Sequence, residues 1–211
     1  CGVRENRDGV LHTLVYGRLV AGNVDPIEKK PLFHLMPGTL SYSIAPVGCN
    51  FRCLFCQNAD IAQMPADRDG QIAGRETSPQ QVVAAAIESG CRSIAYTYTE
   101  PTVFFEFALA TARLARQRGL RNVWVSNGFM TPEALAMIGP LLDGANIDLK
   151  AYSERYYTAF CGARLAPVLD TLRGMKAMGI LVEVTTLVVP GLNDSDSELN
   201  ALADFMAREL G

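Results

Sequence analysis

From Ser41 onward, short runs of β-branched and apolar residues alternate with segments of helical periodicity, and this alternation constrains the fold more than any other feature of the chain. Repeated strand-helix units of this kind stack their helices against a parallel sheet, so the reading is α/β. Strands are predicted from Tyr42 to Val47, Ser93 to Tyr98, Asn122 to Ser126, Ala145 to Leu149 and Val182 to Val189. The helices between them carry start signals. Ser78-Pro79-Gln80-Gln81 offers a capping hydroxyl, a proline at the first helical position and a glutamine placed to close a capping box. Thr131-Pro132-Glu133 repeats the cap and the proline, and Ser195-Asp196-Ser197-Glu198 repeats the box. In the second helix, Phe104, Phe107, Thr111, Leu114 and Arg118 recur at three- and four-residue steps as a stripe facing the sheet, until Gly119 stops it.

Residues 1–40 read differently, as an N-terminal extension to the α/β part of residues 41–211. A small hairpin is predicted from Leu11 to Ala21 around Gly17, then a loop punctuated by Pro26, Pro31 and Pro37, with no chemistry of its own. At 211 residues the length suits one domain with a sizeable core. The 19 basic and 22 acidic side chains leave a formal charge of -3 with no basic run, which speaks against nucleic-acid or membrane partners. No apolar stretch approaches the roughly 20 residues that span a bilayer, and the N-terminus lacks the layout of a secretory signal, so the expected location is the cytoplasm. The chain opens on Cys1 and closes at Gly211 straight after a helical segment. Both ends read as cut.

Three of the six cysteines crowd into Cys49-Asn50-Phe51-Arg52-Cys53-Leu54-Phe55-Cys56, directly after the first parallel strand. A CxxxCxxC spacing lets three thiolates converge on one face of a compact loop and leaves a metal centre one ligand short. A structural zinc site wants four closed ligands, whereas a four-iron cluster held by three cysteines presents one iron to a small molecule. The zinc alternative, a binding module without catalysis, would have to borrow its fourth ligand from Cys91, Cys161, His12 or His34. Against it stands the position of the triplet, at the C-terminal end of a parallel strand where α/β folds gather ligand chemistry. Cys91 reads as a small core residue, and the two histidines as ordinary polar side chains.

The loop resembles the radical S-adenosylmethionine (SAM) signature, with Phe55 as its aromatic. That resemblance implies a partial (β/α)6 TIM-like barrel, here cut to five βα units with the sixth strand missing. It implies a [4Fe-4S] cluster on Cys49, Cys53 and Cys56, with SAM bound to the unique iron. It further implies a one-electron donor such as flavodoxin or ferredoxin, and cleavage of SAM to methionine and a 5'-deoxyadenosyl radical that abstracts hydrogen.

Later strand ends extend the resemblance. Thr97-Tyr98-Thr99-Glu100-Pro101 is similar to the GGEP segment that holds the SAM amino group, with Tyr98 and Thr99 in place of its two glycines. The amino-binding role passes to Glu100, with backbone contacts at Tyr98 and Thr99. Ser126-Asn127-Gly128 is similar to the TNG segment of glycyl-radical-enzyme activases, although Val125 replaces the acid that precedes it there. Asp148-Leu149-Lys150 resembles the DLK or DVK motif whose acid and lysine lie near the SAM carboxylate, both on one face of a strand. Val188-Val189-Pro190-Gly191-Leu192-Asn193-Asp194 resembles the loop that approaches the adenosyl part, with Val189 as the contact. Together these segments are similar to the pyruvate formate-lyase activating enzyme-like group, and the opening segment from Cys1 to His34 is similar to the one that precedes the barrel in the radical SAM enzyme of the AmmeMemoRadiSam system. The activase likeness implies abstraction of a glycine hydrogen from a partner glycyl radical enzyme, while a peptide, another protein residue or a small metabolite stays open as the substrate.

Overall fold

The computed structural model describes residues 1–211. Ten strands occur in chain order: β1 (Arg4–Arg7), β2 (Val10–Thr13), β3 (Arg18–Leu19), β4 (Ala21–Pro26), β5 (Leu40–Ala45), β6 (Arg75–Glu76), β7 (Ser93–Tyr96), β8 (Arg121–Ser126), β9 (Gly144–Asp148) and β10 (Leu181–Thr185). Six of them form the central sheet in the order β10-β9-β8-β7-β5-β4, parallel throughout except for β4. The two end strands do not pair with each other, so the barrel stays open.

The five predicted parallel strands are all present, with ends that differ by at most four residues. The largest difference is at β10, which stops at Thr185, because residues 186–189 leave the sheet to form the wall of a chamber and a loop. The helices Pro79–Glu88, Phe105–Gln117, Pro132–Ile138 and Ala166–Ala177 make the crossovers, and Asp196–Phe205 follows the last strand. Ser78 closes a full capping box with Gln81, and Thr131 caps through its side chain. At Ser195 the cap forms but the box does not, since the Glu198 carboxylate turns away to accept the Tyr152 N–H. In Phe105–Gln117 the buried stripe runs through Phe107, Ala108, Thr111, Ala112 and Ala115, while Arg118 lies outside it in solvent.

The N-terminal segment departs most from expectation. The hairpin lies at β1 and β2, not at residues 11–21, because Asp8 and Gly9 both adopt positive φ (52° and 85°) and supply the tight turn between paired strands. Residues 21–26 then add an antiparallel edge strand to β5, pairing Asn23 with Ser43 and Asp25 with Ser41.

Alternation along the strands separates two faces. Ile44, Ile94, Tyr96, Trp124, Ala145 and Ile147 join the helices in the main core of 40 buried residues. On the opposite, concave face, Ala95 and Val123 are covered by Ile27 and Leu32 of the segment that follows β4. That segment is pinned across the sheet, since the Phe33 and His34 N–H groups donate to Glu183 of β10 at 2.8 and 2.9 Å, and Asn146 of β9 donates to the Pro31 carbonyl at 2.9 Å. It fills one end of the barrel, and the other end is left as a chamber. No helix is long and apolar enough to cross a membrane.

Candidate functional site

The chamber has a volume of about 540 Å³ and opens at the C-terminal ends of the parallel strands. Cys49, Cys53 and Cys56 line it together with Phe55, Tyr98, Thr99, Glu100, Ser126, Asn127, Asp148 and Lys150. Val189 does not: its N–H donates to Asn193 Oδ1 at 2.7 Å, and the β10 end meets the chamber through Thr185, Thr186 and Leu187. A second cavity, between β10 and the C-terminal turn, is lined mainly by aliphatic side chains and holds none of these groups.

The cysteine loop is fixed by backbone bonds from both sides. Gly48 N–H donates to the Ile61 carbonyl at 3.1 Å, and the Arg52 and Leu54 N–H groups donate to the Cys161 and Phe160 carbonyls at 2.9 Å each. Phe51 anchors its middle, packing edge-on against Phe129 and Tyr157. Asn127 crosses from the end of β8 to the loop, donating to Asn50 Oδ1 at 2.7 Å and to Cys49 Sγ at 3.7 Å. The Phe51 N–H also points at Cys49 Sγ, at 3.3 Å.

Burial, together with the nearby Glu100 charge, pushes the Cys49 thiol up to about 12. Cys56 is raised by burial as well. Cys53 is raised by a hydrogen bond to buried Cys161 and by burial. Free thiolates are therefore costly here, and a positively charged metal centre would offset that cost. Three thiols line one chamber. A structural zinc site closes with four ligands, whereas a four-iron cluster held by three cysteines keeps one iron open, so the donor set fits the cluster.

Opposite the loop, Glu100 is 1% exposed. Its carboxylate accepts from Thr102 N–H and Oγ1, from Ser126 Oγ at 2.8 Å and from Asn127 N–H at 2.9 Å. Burial raises its pKa against the pull of these donors. Tyr98 occupies the left-handed region (φ 62°), a conformation that favours glycine. It is held there at both ends: Asn58 Nδ2 donates to its carbonyl at 2.8 Å, and its phenol donates to Asp25.

Asp148 and Lys150 form an ion pair at 2.9 Å with Lys150 largely buried. Burial pulls the ammonium down, but the Asp148 charge and the Cys53 sulfur outweigh it and hold Lys150 above its ordinary value. Its ammonium lies 5.9 Å from the Phe55 ring centre, which ties the strand end to the cysteine loop. The backbone around it is fixed by Tyr157, whose hydroxyl accepts the Lys150 N–H, and by Asn193, whose amide donates to the Lys150 carbonyl at 2.7 Å. Tyr156 and Tyr157 are fully buried packing residues.

Sequence reasoning missed one wall. Lys29, Lys30 and Pro31, from the extension expected to be inert, line the chamber. The lysine pair followed by proline was visible, but nothing local distinguishes it from a solvated loop.

An open parallel barrel that gathers three cysteines, a buried glutamate and an Asp-Lys pair at its strand ends defines a class of α/β proteins built around a three-thiolate loop. The chain belongs to the radical SAM superfamily, which residues 43–206 match. It is 46% identical over 211 residues to an uncharacterised protein of Methanocaldococcus jannaschii, covering all of this chain and 62% of that protein. It is 23% identical over 165 residues to the pyruvate formate-lyase-activating enzyme of Streptococcus mutans, covering 75% of this chain and 63% of that one. The chain thus spans less than two thirds of the length of these relatives. The fold is shared with the crystal structure of Streptococcus suis SuiB bound to S-adenosylmethionine, with a TM-score of 0.60 at 12% identity over 76% of this chain and 36% of that one.

Proposed function

We propose that the chamber binds a [4Fe-4S] cluster and SAM and directs the abstraction of hydrogen from a substrate. The observation that carries this reading is the meeting of three cysteines with Glu100, Asn127 and the Asp148–Lys150 pair in one chamber, although they come from four separate strand ends. Cys49, Cys53 and Cys56 would hold the cluster, which when reduced supplies the electron that cleaves SAM to methionine and a 5'-deoxyadenosyl radical.

The chain's own residues have positional tasks. Glu100 offers a buried carboxylate to the SAM amino group, and its four hydrogen bonds prevent it from turning. Lys150, kept charged by Asp148, faces the SAM carboxylate. Asn127 and the Phe51 N–H direct donors at Cys49 Sγ, which favours its thiolate form. Phe55 packs on Tyr156 and screens the loop from water. Enclosure of this kind keeps a radical from side reactions.

Similarity to activating enzymes supports a protein or peptide as the substrate, a glycyl radical enzyme being the first candidate to test. Anaerobic reconstitution with iron and sulfide, followed by electron paramagnetic resonance of the reduced protein, tests the reading. A four-iron signal that changes on addition of SAM is expected. Stoichiometric zinc in the anaerobically purified protein, with no cluster formed on reconstitution, would overturn it.

A further inference from the structure

The wall contributed by residues 25–31 has a charge arrangement that the positioning of SAM leaves unused. Asp25, 4% exposed, receives Lys29 Nζ at 2.7 Å on one oxygen, Lys30 Nζ at 2.8 Å on the other, and the Tyr98 hydroxyl as well. Two ammonium groups share one carboxylate, which leaves an excess positive charge. Lys30 is 1% exposed, and an ammonium has three N–H donors. One donor goes to Asp25, and the ring of Tyr98, 4.3 Å away, can take at most a second. At least one donor of a buried cation that lines the chamber lacks an acceptor. A buried charge left in that condition is costly unless something of opposite sign meets it.

Asp25 is the one acid within ion-pair distance of either lysine, while Glu28 is turned to the Gly38 N–H and Glu183 to the Phe33 and His34 N–H groups. Asp25 pairs with Ser41, four residues before the end of β5 at Ala45. At about 3.3 Å per residue the Asp25 backbone therefore lies on the order of 13 Å below the end of the strand that leads into the cysteine loop, and its carboxylate, which holds both lysines, reaches up to the Tyr98 hydroxyl. The lysine pair belongs to the inner end of the chamber, beneath the groups proposed to take SAM.

We infer that this inner end is an anion subsite, in which Lys29 and Lys30 receive a carboxylate or phosphate group carried by the substrate. Lys29 is mostly exposed and can leave Asp25 for the incoming anion, while Lys30 is held in place from below. The inference rests on the proposed reading only in placing SAM at the mouth, so that what lies deeper is substrate.

The test is isothermal titration of the anaerobically reconstituted chain, with and without SAM, using inorganic phosphate and acetate as probes at ionic strength held constant with chloride. Saturable binding of at least one probe is expected, weakened roughly tenfold or more in Lys29→Ala. Binding should be lost in the double variant Asp25→Asn/Lys30→Met, which removes the buried pair together and so avoids stranding either charge. Preference for phosphate marks a phosphorylated substrate, and preference for acetate a carboxylate. Absence of binding by the wild type, or equal affinity in wild type and both variants, overturns the inference. The SAM-dependent resonance signal separates the two readings: anion binding without that signal sinks the proposed function alone, and the signal without anion binding sinks the subsite alone.

Discussion

Replacing Asp25 with asparagine isolates the energetics of the inner wall. The substitution keeps the shape of the side chain but removes the counter-charge of Lys30, which is 1% exposed and has no other anionic partner. Breaking a buried pair from one side costs about 3–5 kcal/mol. Loss of the exposed Lys29 contact adds less than about 1 kcal/mol, and loss of the bond from the Tyr98 hydroxyl about 1 kcal/mol. The sum is a large share of the roughly 5–15 kcal/mol that stabilises a domain. Urea unfolding followed by the emission of Trp124, the single and fully buried tryptophan, measures it. The sign of the pH dependence is also set. Burial alone pulls the Lys30 ammonium down, and without Asp25 it falls further. The unfolded chain then binds more protons than the folded one, so the variant regains stability as pH rises toward the ordinary lysine value. In the wild type, burial pushes the Asp25 carboxyl up, but bonds from Lys29, Lys30 and Tyr98 outweigh it and hold the carboxyl well below the usual range. Its contribution is complete above about pH 4 and is lost as pH falls further. A cost under about 1 kcal/mol, or a double variant Asp25→Asn/Lys30→Met no more stable than the single one, would refute this reasoning.

Three further outcomes follow from the geometry. Gly128→Ala places a Cβ 2.8 Å from Ile147 Cγ2 and 3.1 Å from Val168 Cγ1 at a φ of 73°, so a loss of about 2–4 kcal/mol is expected in the same unfolding assay. Glu100→Gln turns an amide toward the Asn127 N–H and removes the negative charge, and should weaken SAM binding by about tenfold or more, read by equilibrium dialysis. Ser78→Ala removes a full capping box and should cost about 1 kcal/mol while leaving the iron content of reconstituted protein unchanged.

Much of this architecture was legible because it is locally encoded. The caps at Ser78 and Thr131 and the β-branched runs fixed the parallel strands to within a few residues, and strand ends in such folds converge on one face. The cysteines, Glu100, Ser126, Asn127, Asp148 and Lys150 consequently share one chamber. What escaped is non-local. The β4 sequence Ala-Gly-Asn-Val-Asp-Pro is poor in strand formers and becomes a strand only by pairing with β5. Lys30 is buried because Ile27 and Leu32 carry its segment onto the concave face of the sheet, a consequence of packing that no local pattern announces. Val189 was assigned by loop resemblance, but Asn193 turns that loop back onto the Lys150 carbonyl and leaves Thr185, Thr186 and Leu187 at the chamber. Tyr98 keeps a positive φ because its backbone and phenol are both tethered, and the tether reaches the inner lysines.

The central claim is that Cys49, Cys53 and Cys56 together equip the chamber to cleave SAM. Its most direct test is the yield of 5'-deoxyadenosine when the reconstituted chain is reduced in the presence of SAM, compared with Cys53→Ala and with Cys91→Ala, a cysteine buried away from the chamber. The account predicts product from wild type and Cys91→Ala and none from Cys53→Ala. Undiminished product from Cys53→Ala, or none from a wild type that carries its full iron and sulfide, would contradict it.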